Sequence, residues 1–129
     1  MSILVELGRP VADRLIAAKQ KIAVSESSSG GLISSALLAI PGASAYFAGA
    51  AVVYTLEARR AFLPDDVLPK GTRSSSEPYA LANARAIRAR LGVDWAVCES
   101  GAAGPSGNRY GDKPGHTALA VVGPGVERA

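Results

Sequence analysis

Apolar positions Leu7, Val11, Leu15 and Ile16 recur at close to helical spacing within residues 5–20 and predict a first helix, in which Pro10 is tolerable only near the start. Residues 21–25 read as a short strand and 26–31 as a turn. A small-residue helix follows over 32–39, stopped by Pro41 and Gly42. The second strand fits 48–55, and a short helix over 57–62 is ended by Leu63 and Pro64. Ser76, with Pro78 just beyond it, starts another helix that runs to Arg90 and is capped by Gly92. Apolar runs at 95–98 and 117–122 complete the set as strands, separated by a loop over 101–115. Strands that alternate with helices need a sheet covered on both faces, so the fold class is α/β. The sequence ends directly after the last of these strands, which leaves one sheet face or edge thinly covered. Either a further C-terminal element or a partner subunit is expected to supply the cover, the second implying a homodimer or higher homo-oligomer.

Composition narrows the classes without choosing a function. At 129 residues the chain has the length of one domain, enough to bury roughly two thirds of the surface its unfolded form exposes. A content of 48% hydrophobic and 19% charged residues describes a packed globule and not a disordered chain. The net charge of +3 favours anionic ligands only weakly. Arg85, Arg88 and Arg90 alternate with Ala on the predicted helix, and no aromatic residues interleave for base stacking. A solvated helix face therefore outweighs a nucleic-acid patch. No stretch approaches the ~18 apolar residues of a membrane span, and the N-terminus lacks a basic segment followed by a long apolar one, so a cytoplasmic location with no membrane partner is expected. Cys98, the only cysteine, reads as a buried structural thiol. His116 and Cys98 cannot complete a metal site, and Asp65, Asp66 and Asp112 read as turn and loop residues, so no metal is expected.

Candidate chemistry concentrates in Ser25-Glu26-Ser27-Ser28-Ser29-Gly30-Gly31, where a strand end feeds a helix start through residues without bulk. Backbone amides at such a helix start can hold a phosphate or a developing oxyanion, and the hydroxyls can donate, accept or attack. Taken alone, a turn of this kind is more often an N-cap than a catalytic site. Four serines, one carboxylate and two glycines in seven residues exceed what capping requires, although no P-loop lysine, G-x-S-x-G elbow or G-x-G-x-x-G spacing is present. A second candidate is Tyr54 at a strand end, where packing with a wet hydroxyl is the alternative. The third is the small-residue run from Ser100 through Gly101, Ala102 and Gly104 to Gly107, equally readable as a connecting loop or as a place for close backbone approach to a ligand.

These segments, with Ser76-Glu77-Pro78 and Lys113-Pro114, resemble the CinA C-terminal domain family over nearly the whole chain, a family whose members include nicotinamide mononucleotide deamidases. The family pattern A-E-S-C-T-G-G is similar to residues 25–31, Y-S-N-E-A-K to 54–59, V-S-E-P to 75–78, and S-G-x-A-G-P to 100–105. The resemblance implies one domain over 1–129, a three-layer α/β/α sandwich with a mixed, mostly parallel sheet, lacking the family's last C-terminal element. It also implies hydrolysis of the nicotinamide carboxamide to nicotinate mononucleotide and ammonia, without metal or other cofactor. The family's nucleophilic serine falls on Ser27, its tyrosine on Tyr54, and its catalytic lysine on Arg59. Glu26, Ser28, Ser29, Gly30, Gly31, Ser100, Gly101, Ala102, Gly104 and Lys113 would surround the pyridine nucleotide.

Residue 59 departs from that pattern in a way that matters chemically. A lysine base must be neutral when it acts, which asks for a fall of about three pKa units, or about 4 kcal/mol. Arginine would need about six units and about 8 kcal/mol. Arg59 can instead act as a fixed cation beside Tyr54 or hold a ligand phosphate. Leu56 replaces the family Asn, Ser28 and Ser29 replace Cys and Thr, and His116 stands where the family has glycine. As the first residue of a strand, His116 reads as structural. Two readings follow: a serine amidohydrolase in which the Gly30 and Gly31 backbone holds an oxyanion or phosphate, and a degenerate relative that binds a nucleotide or a partner subunit without turnover.

Overall fold

Strand β1 (Ile22–Glu26) is buried at every position, because it is flanked on both sides and covered on both faces. The structure, a computed structural model, describes residues 2–63, 68, 70–102 and 104–129. On one side β1 pairs in parallel with β2 (Phe47–Val52), and on the other with β3 (Trp95–Ala102). β4 (His116–Gly123) runs antiparallel to β3, and β5 (Val126–Arg128) antiparallel to β4. The sheet is therefore mixed, in the order β2-β1-β3-β4-β5, with a parallel core extended by a hairpin. Ser25 stands opposite Ala51 on one neighbour and Cys98 on the other, so the carboxyl ends of β1, β2 and β3 share one edge.

Helices close both faces and make the sandwich three layers thick. Helix α1 (Ser2–Ala18) packs with α2 (Leu32–Leu38) over a core of Leu15, Ile22, Val24, Leu37 and Tyr46, whose phenol donates to the Leu37 carbonyl. Gly8 is the close-approach point: a Cβ there would lie 2.3 Å from the Ala36 carbonyl oxygen. On the opposite face, α4 (Glu77–Leu91) sets Ala80, Ala84 and Ile87 against Ala96, Cys98, Ala120 and Val122. The Ser76 hydroxyl accepts from the Tyr79 amide at 3.3 Å to cap its start, and Gly92 ends it at φ 62°. Helix α3 (Leu56–Phe62), capped by Thr55, joins this layer, with Leu63 just past its end packed into the same core. No helix among the described residues is long and apolar enough to cross a membrane.

Several boundaries differ from the sequence expectation. α1 begins three residues earlier, and Pro10 lies well inside it. The missing amide leaves the Glu6 carbonyl without its helical donor, but both residues face solvent, where water can serve. β2 ends at Val52, before the expected limit. β3 continues through Ser100, Gly101 and Ala102, expected as loop, because these pair with Ala118, Thr117 and His116. β5 was not expected, and Pro124-Gly125 is the turn that returns it onto β4. A short 3-10 turn at Ala43–Ala45 precedes β2. Leu119 and Val121 remain partly exposed beside an apolar trough of about 450 Å³ lined by Leu7, Val11, Leu32 and Val97. Pro64, Asp65 and Asp66 lie outside the described residues.

The Gly8 contact sets a test of the α1–α2 packing. Gly8→Ala is expected to destabilise the fold by about 1–3 kcal/mol, because the two helix backbones must separate to admit the methyl group. Urea unfolding of the two proteins measures it.

Candidate functional site

At the carboxyl edge of the parallel strands the chain leaves the sheet, and side chains from several segments converge there, as is common in α/β folds. The turn 27–31 follows β1. The Val53 amide donates to the Glu26 carbonyl at 2.8 Å, extending the pairing by one step and placing Tyr54 just beyond it. Ser100 to Ala102 end β3, and His116 begins β4 beside them. Ser75 is tied to this edge twice: its amide donates to Ser100 Oγ at 3.0 Å, and its carbonyl accepts from His116 Nε2 at 2.8 Å. A cleft of about 500 Å³ opens between the start of α4 and β4, bordered by Arg73, Ser75, His116 and Thr117.

Two buried carboxylates organise the serine turn. Glu26 Oε1 accepts the amides of Gly31 at 3.1 Å and Ile33 at 3.0 Å, and Oε2 accepts the Ser34 amide at 2.9 Å and hydroxyl at 2.6 Å. Burial opposes ionisation of Glu26, but hydrogen bonds from Ser29, Ser34 and Ile33 outweigh it and hold the carboxyl below its ordinary range. Glu99, reaching across from β3, accepts the amides of Ser27 at 2.8 Å and Ser29 at 3.0 Å on Oε2, and the Ser28 hydroxyl on Oε1. Burial opposes its ionisation as well. Hydrogen bonds from Ser28, Ser29 and Ser27 outweigh that and hold the carboxyl below its ordinary range. Ser29 Oγ touches both groups, at 2.6 Å from Glu26 Oε1 and 2.7 Å from Glu99 Oε2.

This arrangement corrects the expectation of open amides. The Gly31 amide is held by Glu26, and the Gly30 amide donates to the Ser27 carbonyl at 3.1 Å. The turn is an anion nest already filled by the protein's own carboxylates. Ser27 is half-buried, and its hydroxyl has no hydrogen-bond partner among the described residues. Tyr54 is 77% exposed. Arg59 is 3% exposed and lies between α3 and α4, its Nε donating to Asn83 Oδ1 at 3.0 Å and its guanidinium 5.8 Å from the Tyr79 ring centre. The arginine that sequence spacing places near Tyr54 thus faces a different tyrosine.

The remaining candidates divide between backbone and surface roles. Gly101 abuts the turn: a Cβ there would lie 2.8 Å from both Ser28 Oγ and Thr117 Oγ1. The Ala102 carbonyl accepts the Gly115 amide at 2.5 Å, and the Lys113 carbonyl accepts the His116 amide at 3.0 Å. Gly104 and the Lys113 side chain are exposed. Because a carbonyl can only accept, the His116 contact with Ser75 requires a proton on Nε2. Cys98 is buried, and desolvation pushes its thiol up to about 12. Sequence reasoning missed Glu99. The available signal was a carboxylate directly following an apolar strand run, a position that needs buried donors.

An α/β domain whose open edge, at the ends of parallel strands, carries a serine turn built on two carboxylates is the class these features define. The chain matches the CinA C-terminal domain over residues 5–129 and belongs to that family. It is 39% identical over 111 residues to a CinA-like protein of Gloeobacter violaceus, covering 84% of this chain and 26% of that protein. Against a CinA-like protein of Myxococcus xanthus it is 39% identical over 118 residues, or 90% and 28% of the two chains. The chain thus spans about a quarter of the length of these curated relatives. Among solved structures, competence damage-inducible protein A (ComA) from Klebsiella pneumoniae superposes with a TM-score of 0.88 at 30% identity, covering 97% of this chain and 78% of that one. The competence/damage inducible protein CihA from Agrobacterium tumefaciens gives 0.84 at 28% identity, with coverage of 97% and 78%.

Glu26→Gln is expected to destabilise the fold by about 2–3 kcal/mol, since an ionised acceptor of five hydrogen bonds from the protein becomes a neutral amide with one acceptor oxygen. A lowered carboxyl contributes stability that is present above its unfolded value of about 4.3 and is lost as pH falls through the folded value. Thermal unfolding between pH 3 and 7 should therefore show a shallower acid-side decline in the variant.

Proposed function

We propose that this chain is a metal-independent amidohydrolase of pyridine mononucleotides, resembling nicotinamide mononucleotide deamidase. What carries the reading is the Ser27 hydroxyl, half-buried at the carboxyl edge and unpartnered among the described residues, while Ser28 and Ser29 are engaged by Glu99 and Glu26. Ser27 Oγ forms a bond to the carboxamide carbon while Tyr54 relays the serine proton to the carboxamide nitrogen, and the C–N bond then breaks to release ammonia. Water then hydrolyses the acyl-serine ester to nicotinate mononucleotide and restores Ser27. Gly101, Gly104 and Lys113 border the path by which the nucleotide enters. Action in the cytoplasm as a homo-oligomer belongs to the same proposal.

A second reading, nucleotide binding without turnover, is favoured by Arg59, whose guanidinium is packed against Asn83 and Tyr79 and supplies no base. Ammonia release from nicotinamide mononucleotide decides between the two. The first expects release that falls at least ~100-fold in Ser27→Ala. Equal release by the two proteins would remove it, and stabilisation of that same inactive protein by the nucleotide would then support the second. Arg59→Lys is expected to gain turnover if only the base is missing, at the cost of weaker anchoring to Asn83.

A further inference from the structure

The outer edge of β4 is covered along only part of its length. β5 pairs with it at Val121, Val122 and Gly123, while β3 takes the other edge from His116 to Val122. Between Thr117 and Ala120 the side of β4 away from β3 has no backbone partner among the described residues. Alternate residues of an antiparallel strand turn their N–H and C=O groups to the same side, so this stretch presents unmet donors and acceptors in a row. Strands guard such an edge with charged residues or proline, and residues 117–123 contain neither. The cleft of about 500 Å³ lies along the same stretch, walled by the start of α4 on one side and by His116 to Leu119 on the other, with Ala129 at its β5 end.

Register and exposure define what fits this edge. Continued past Arg128, the β4–β5 pairing sets Ala129 opposite Ala120 and leaves Leu119, Ala118, Thr117 and His116 open to four further residues, about 14 Å of extended chain. Paired residues share a face of the sheet. Leu119 and Val121, 51% and 36% exposed, stand on the α1 side with Val97, whereas Ala118 and Ala120 are buried against α4. A residue opposite Leu119 lengthens that apolar row. A residue opposite Ala118 turns towards the start of α4, where the exposed Glu77 carboxylate lines the cleft with no ion pair among the described residues and Arg73 is held by Asp112 at 2.8 Å. We propose that this edge of β4 is a strand-addition site for an extended segment of a partner polypeptide, running antiparallel to β4 with an apolar residue opposite Leu119 and a basic one opposite Ala118. Main-chain bonds to the open edge supply affinity, and the two side-chain positions supply selectivity. A nucleotide offers no repeating row of donors and acceptors and leaves most of this edge unmet. The inference stands on the edge alone and is independent of the amidohydrolase reading.

The probe is a capped five-residue peptide that alternates valine and lysine, titrated into the full chain and followed by amide hydrogen exchange. Binding is expected to slow the outward-facing amides between Thr117 and Ala120 at least ~10-fold and to leave those of β2, the opposite edge of the sheet, unchanged. Methylating every backbone nitrogen of the peptide should abolish the protection, because it removes the donors. Leu119→Lys, at an exposed position where thermal unfolding verifies the fold, should weaken binding about 10-fold, and Glu77→Gln about 3-fold. Unchanged exchange at millimolar peptide, equal protection of β2, or equal binding of the methylated peptide would overturn the proposal. Protection of the same amides that rises with protein concentration and without peptide would assign the edge to a second copy of this chain. Displacement of the peptide by nicotinamide mononucleotide would assign the cleft to the nucleotide, and either result also overturns the proposal.

Discussion

The Glu26 carboxylate fixes the geometry of the edge where the serine turn sits. It ends the central strand and gathers the amides of Gly31, Ile33 and Ser34, donors that a helix start leaves without intrahelical partners. Strand and helix are thereby joined by one buried charge. Hydrogen bonds to a charged group contribute about 1.5–3 kcal/mol each, a large share of the margin by which a domain is folded. The shape of the serine turn follows, since Ser29 must reach Glu26 and the chain must reverse within five residues.

Glu99 locks the same turn from the neighbouring strand. Its contacts with Ser27, Ser28 and Ser29 tie the turn to β3, so the turn and the end of β3 behave as one piece. The arrangement has an electrostatic consequence. An anion nest filled from within repels a phosphate, so on the proposed reading a nucleotide would place that group elsewhere along the edge, towards the exposed Lys113 or the cleft bordered by Arg73 and His116. On the same proposed reading the carboxamide end would face the turn, because an uncharged amide can exchange hydrogen bonds with serine hydroxyls without desolvating a second negative charge beside the first.

Arg59 shows how a sequence motif and its physical setting can part. Its position in the segment 54–59 fits the spacing of a catalytic lysine, yet the side chain reaches back across α3 to Asn83 and Tyr79. A guanidinium with a rigid plane and several donors is suited to such a clamp, and its always-charged state leaves it unsuited to proton abstraction. Tyr54 remains at the edge with its phenol in water.

Much of the domain was legible in order along the chain. Helical spacing, Ser76 and Gly92, and the run 95–98 identified helix and strand correctly because these depend on neighbours within a few residues. The serine turn was legible as a turn between strand and helix for the same reason. Tertiary pairing decided the rest. Ser100 to Ala102 became strand only because β4 returned to bond them, and β5 formed only because β4 offered an edge. The filling of the turn by Glu99, and the direction taken by Arg59, were likewise settled in three dimensions. A buried charge is placed by donors some seventy residues away in the chain, and no local pattern of apolar and polar residues records where those donors will be.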